Sequence, residues 1–94
     1  MRLIVSRAAA ADFARLRAFL VGNPDAAKRA IAVLDAAMQS LCTLPDRGRR
    51  SDVAGARELV VPFGRSSYVL RYAHFAEADE IVILRIWHGR EVRK

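Results

Sequence analysis

The sequence predicts an α+β fold in which an antiparallel two-helix hairpin packs on one face of a sheet. A short N-terminal strand and a three-stranded antiparallel meander make up that sheet, giving the order βααβββ. Three observations carry this. Apolar residues recur at steps of three and four through the first half and at steps of two through the second. The 94 residues suffice for one modest core, so positions 1–94 form a single domain.

Arg2 to Ser6 reads as a short strand, its Leu3-Ile4-Val5 run stopping at a hydroxyl suited to capping a helix. From Arg7 to about Val21, Phe13, Leu16 and Leu20 share one helical face, and Gly22 is expected to end that helix. Asn23-Pro24-Asp25 supplies a cap, a proline for the first helical position and an acid for the positive first turn. The second helix follows, with Ala27, Ile31, Leu34, Met38 and Leu41 as its apolar stripe, and it ends before Pro45. The join is short enough to make the two helices antiparallel neighbours.

Leu44 to Gly55 holds turn formers and Arg47, Arg49 and Arg50 without periodicity, and reads as a surface loop. Beyond it come three strands, marked by Leu59, Val61 and Phe63, then Tyr68, Leu70 and Tyr72, then the alternating run from Ile81 to Trp87. Gly64-Arg65-Ser66 and Ala76-Glu77-Ala78-Asp79 join them as hairpins, and Pro62 argues for an edge strand. Strict alternation would put Val82, Leu84 and Ile86 on the apolar face. It would turn Trp87 outward with Ile83 and Arg85.

Sixteen basic against ten acidic residues leave a formal charge of +6, which favours contact with nucleic acid or an acidic protein. With 53% hydrophobic and 28% charged residues the chain is globular in composition. No apolar run approaches a spanning helix, and the N-terminal apolar run is too short for a signal peptide, so no membrane association and a cytoplasmic location are expected. Cys42 is the only cysteine; no metal or other cofactor is expected, and its expected role is that of a small buried hydrophobe.

Among single residues, His88 is a candidate acid–base group because its ordinary pKa lies near neutrality, while a strand-capping role is the plainer reading. His74, beside a hairpin turn, is expected to be solvated. The loop arginines read as solvated cations partly offset by Asp46 and Asp52, and Arg57-Glu58 as an ion pair on the opening strand.

Five strings in order then resemble the ParE/RelE toxin superfamily, and its ParE-like branch in particular, essentially from end to end. They are Asn23-Pro24-Asp25-Ala26-Ala27, Leu44-Pro45-Asp46-Arg47-Gly48-Arg49, Ala56-Arg57-Glu58-Leu59-Val60-Val61, Tyr68-Val69-Leu70-Arg71-Tyr72 and Ile83-Leu84-Arg85-Ile86-Trp87-His88-Gly89-Arg90. The resemblance implies a toxin of a type II toxin-antitoxin system. Its cognate antitoxin, of ribbon-helix-helix type, would lay an amphipathic helix over Phe13, Leu16, Phe19 and Leu20, and operator DNA would be reached only through that antitoxin. The chain ends Arg90-Glu91-Val92-Arg93-Lys94 without the aromatic that many ribosome-dependent relatives place there. The ParE-like branch therefore comes first, with DNA gyrase as the target, no catalytic residues, and Trp87, His88, Arg90, Arg93 and Lys94 as the target contacts. The alternative is a RelE-like, ribosome-dependent mRNA endoribonuclease using Arg57, Arg85, His88 and Arg90.

Overall fold

In a computed structural model, which describes residues 1–89 and 91, the chain forms β1 (Arg2–Val5), α1 (Arg7–Phe19), α2 (Pro24–Leu41), β2 (Arg49–Arg50), β3 (Arg57–Phe63), β4 (Ser66–Phe75) and β5 (Glu80–His88). The five strands make one sheet in the order β1-β5-β4-β3-β2. β1 runs parallel to β5, and the other neighbours are antiparallel. The expected α+β arrangement is present, with one extra strand.

Local chemistry sets the helix ends. The Ser6 hydroxyl accepts from Ala9 N–H at 3.1 Å and donates to the Leu84 carbonyl at 3.1 Å, so one side chain caps α1 and ties it to β5. Asn23 accepts from Ala26 N–H at 3.1 Å, and Pro24 fills the first position of α2, where its missing donor costs nothing. α1 ends at Phe19, two residues before the expected Val21. Leu20 N–H turns back to the Arg17 carbonyl at 3.0 Å, which tightens the last turn without calling on Gly22.

One face of the sheet meets the helices. Leu16, Leu34, Met38 and Leu41 pack there on Leu59, Val61, Tyr68, Leu70, Tyr72, Ile81, Ile83 and Ile86. The first half of α2 buries Ala26 and Ala30 rather than Ala27 and Ile31, and Ile31 is exposed. Small side chains let the helix approach closely there. The β3–β4 hairpin closes through Gly64 at φ +59°, a backbone state that favours glycine.

Two expectations need correction. The region from Leu44 to Gly55 is not wholly irregular, because β2 within it pairs with Glu58 and Arg57 of β3. Arg57 to Glu58 is thereby covered, while Pro62 lies beyond that pairing on the unpaired part of the β3 edge. Second, the β4–β5 register shifts between Arg71 and Tyr72: Arg71 faces Arg85, but Tyr72 faces Ile83, leaving Leu84 as an extra residue. This bulge reverses the alternation. Ile81 and Ile83 before it share the helix-facing side with Ile86 and His88 after it, and Val82 and Leu84 are only part-buried.

Candidate functional site

The bulge shapes the side of the sheet away from the helices. Cross-strand neighbours Arg71 and Arg85 both lay their guanidinium groups over the Trp87 ring, at 4.7 and 5.2 Å from its centroid. Trp87 thus lies on the outward side as expected, but under the two arginines it is only 3% exposed, a correction to the expectation of an open ring. Each arginine is held by an acid. Arg71 donates to Glu58 from Nε and Nη2 at 3.2 and 2.9 Å, and Arg85 donates to Asp12 from Nε and Nη2 at 2.8 and 3.1 Å. Arg57 and Glu58 do not pair with each other, since adjacent strand residues face opposite sides. Arg57 instead reaches the Gly48 carbonyl at 2.8 Å and Asp46 at 3.6 Å.

Asp12 also completes the edge of β5. β1 stops at Val5, and past Ser6 N–H, which donates to Ile83, the ladder loses its partner strand. Side chains continue it. Ile86 N–H donates to Asp12 at 2.8 Å, the Ile86 carbonyl accepts from Arg15 at 3.2 Å, and His88 N–H donates to Glu91 at 2.8 Å. Arg15 joins Asp12 at 2.6 Å and both Glu91 oxygens at 3.1 and 3.0 Å. Burial alone would raise the Asp12 carboxyl. The hydrogen bonds from Arg85, Ile86 N–H and Arg15, with the Arg85 charge, outweigh burial and hold it below the usual range. Glu91 follows the same logic, its burial outweighed by Arg15 and the His88 N–H.

Near the turn that joins the two helices lies an apolar cleft of about 520 Å³, between the C-terminal end of α1 and the β3–β4 turn. Leu16, Phe19, Leu20, Phe63, Tyr68 and His88 line it. His88 sits edge-on to Tyr68, with Nε2 3.0 Å from the Ser66 hydroxyl. Burial raises the Tyr68 phenol above its ordinary pKa. Phe19 at the cleft and Val21 two residues on are 73% and 84% exposed, two uncovered apolar side chains.

The four antitoxin-contact candidates thus divide. Phe19 is exposed, Phe13 and Leu20 are part-buried against the core, and Leu16 belongs to the core at 5%. Of the residues for RNA cleavage, Arg57 faces Tyr72 and His88 faces Tyr68. They are four residues apart along β4, roughly 13 Å by strand rise. Arg85 lies toward the other side, on Asp12 and Trp87. The structure does not bring these three together. Arg90, Arg93 and Lys94 lie outside the described residues.

The sequence reading missed Asp12, Arg15 and Glu91. For Asp12 a signal existed: it falls on the face of α1 that holds Ala9 and Leu16, and a charge among apolar neighbours marks a buried, partnered group.

A family described as the ParE toxin of type II toxin-antitoxin system, parDE, matches residues 3–93. Toxin RelE1 of Caulobacter vibrioides is 44% identical over 92 residues, covering 97% of this chain and 96% of that protein. Toxin RelE3 of the same organism is 40% identical over 83 residues, covering 87% of each. A chain of the chromosomal ParDE TA system from P. aeruginosa superposes with a TM-score of 0.79 at 28% identity, over 96% of this chain and 97% of that one.

Proposed function

The chain belongs to the ParE toxin family of type II toxin-antitoxin systems, and from that premise we propose that it poisons DNA gyrase by contact, in the cytoplasm, without cutting RNA. A cognate ribbon-helix-helix antitoxin keeps it inactive by laying an amphipathic segment along α1 into the apolar cleft, covering Phe19 and Val21. His88 and the basic Arg90, Arg93 and Lys94 form the target contact, with Trp87 beneath as the support for Arg71 and Arg85 rather than as a contact itself.

One observation carries the choice of target. RNA cleavage needs a base, an acid and cations converging on one phosphate. Here Arg57 and His88 stand four residues apart along β4, and Arg85 is committed to Asp12 on the other side of the sheet. The relatives named as RelE toxins favour the second reading, in which the chain is a ribosome-dependent mRNA endoribonuclease. Inducing the chain without its antitoxin separates the two. Arrest of DNA synthesis with DNA-damage signalling before any loss of translation is expected, together with inhibition of purified gyrase. Translation arrest first, with cleaved transcripts, would overturn the gyrase reading.

A further inference from the structure

The segment between α2 and β3 is irregular except for β2, yet it is clamped. The Tyr72 hydroxyl, reaching across from β4, donates to the Pro45 carbonyl at 2.7 Å and accepts from Gly48 N–H at 2.8 Å. Gly48 lies so close to the sheet that a Cβ there would stand 2.8 Å from the Glu58 carbonyl oxygen and from the Tyr72 ring. Arg57 grips the Gly48 carbonyl, and Arg47 reaches the Ser40 hydroxyl at 2.6 Å.

What the clamp presents is cationic. Arg47, Arg49 and Arg50 are exposed, and among the described residues none has a carboxylate within ion-pair distance; Asp46 turns to Arg57 instead. Holding like charges together in a fixed loop is unfavourable unless an anion meets them. Arg49 sits opposite Glu58 and Arg50 opposite Arg57, so the two project to opposite sides of the sheet rim.

We propose that this clamped loop is a second contact surface, apart from the α1 cleft, which binds the phosphodiester backbone of nucleic acid through Arg47, Arg49 and Arg50. An extended acidic peptide fits less well, because a two-residue edge strand offers too few ladder bonds for strand addition. Guanidinium groups on both sides of a rim suit a backbone with regularly repeated charge, and the fork geometry of arginine suits its oxygens. The inference does not depend on gyrase being the target, and its assay is read separately from culture arrest.

The test is fluorescence anisotropy of a labelled mixed-sequence DNA duplex titrated with the purified chain at several salt concentrations. The triple variant Arg47→Ser, Arg49→Ser, Arg50→Ser is expected to bind roughly tenfold more weakly or worse, with the salt slope reduced by about 0.9 per lost phosphate contact. A charge-matched control, Arg7→Ser, Lys28→Ser, Arg29→Ser, alters exposed helical positions and is expected to bind like the parent. Tyr72→Phe, confirmed folded by circular dichroism, keeps every charge but unclamps the loop, and weaker binding is expected. No binding by the parent, or equal losses in both triple variants, would overturn the proposal. Displacement of the duplex by polyglutamate at matched charge would assign the surface to an acidic protein instead, and unchanged binding by Tyr72→Phe would remove the role given to the clamp.

Discussion

Asp12 and Arg85 stand 73 positions apart in the sequence, yet the Arg85 guanidinium donates to both oxygens of the Asp12 carboxylate, at 2.8 and 3.1 Å. The pair fastens α1 to β5 where β1 gives out, and the same carboxylate takes the ladder N–H of Ile86. Replacing it leaves a buried donor and a cation unmatched.

Asp12→Ala should therefore cost about 3 kcal/mol, near the lower end for breaking a buried pair because Arg85 is one-third exposed. Asp12→Asn, which can still accept from Ile86 N–H, should cost less. Urea unfolding of the free chain measures both.

Acid should act through the same network. Asp12 and Glu91 both titrate below their ordinary values in the folded chain, where Arg85 and Arg15 favour the charged forms over the effect of burial. Their contribution is then complete above the unfolded carboxylate pKa and is lost as the pH falls through the lower folded values. The urea midpoint should drop as the pH is taken below about 4. An Asp12→Asn, Glu91→Gln variant should show a smaller drop. An equal drop would place the acid sensitivity elsewhere.

Gly48→Ala tests the clamped loop. Its Cβ would meet the Glu58 carbonyl oxygen at 2.8 Å, and that backbone atom lies in the β3 ladder and cannot swing aside as a side-chain end could. The expected cost is about 1–3 kcal/mol, as for other overpacked sites, read as a lowered thermal midpoint. The same change at Gly22, where a Cβ meets nothing within 4 Å, is expected to be near neutral.

How far the sequence could be read depended on the range of the interaction. Ser6, Asn23 and Pro24 announce helix starts because capping needs only atoms three residues away. The apolar periods likewise located α1, α2, β3, β4 and β5. β2 escaped because two arginines carry no alternation, and their pairing with Glu58 and Arg57 is fixed by the Tyr72 and Gly48 contacts across the loop. The inward placement of Ile81 and Ile83 escaped because one extra residue, Leu84, shifts the alternation between them and Ile86, and strict period-two counting has no term for a bulge. The burial of Trp87 escaped because Arg71 and Arg85 cover it from outside any period. Of the residues singled out in the sequence for two different contacts, Phe19 and His88 line one cleft, a meeting that no local pattern announces. The Asp12, Arg15 and Glu91 system rests on contacts spanning more than 70 positions, which local patterns do not carry.

The antitoxin contacts are best separated by comparing two residues three positions apart on one helix. Phe19 is 73% exposed beside the apolar cleft, whereas Leu16 is 5% exposed and packs in the core beneath it. Phe19→Ser removes little that the free chain buries, so its stability should stay within about 0.5 kcal/mol of the parent. Covering that ring is what the antitoxin segment gains, so calorimetric titration with the cognate antitoxin should show affinity reduced roughly tenfold or more, about 1.4 kcal/mol per decade. Leu16→Ala should behave in the opposite way, losing about 2–5 kcal/mol of stability through the cavity it opens. Its antitoxin binding should weaken only in proportion to the unfolded fraction. If Phe19→Ser instead binds the antitoxin like the parent while remaining folded, the segment does not cross this end of α1, and the cleft belongs to another partner.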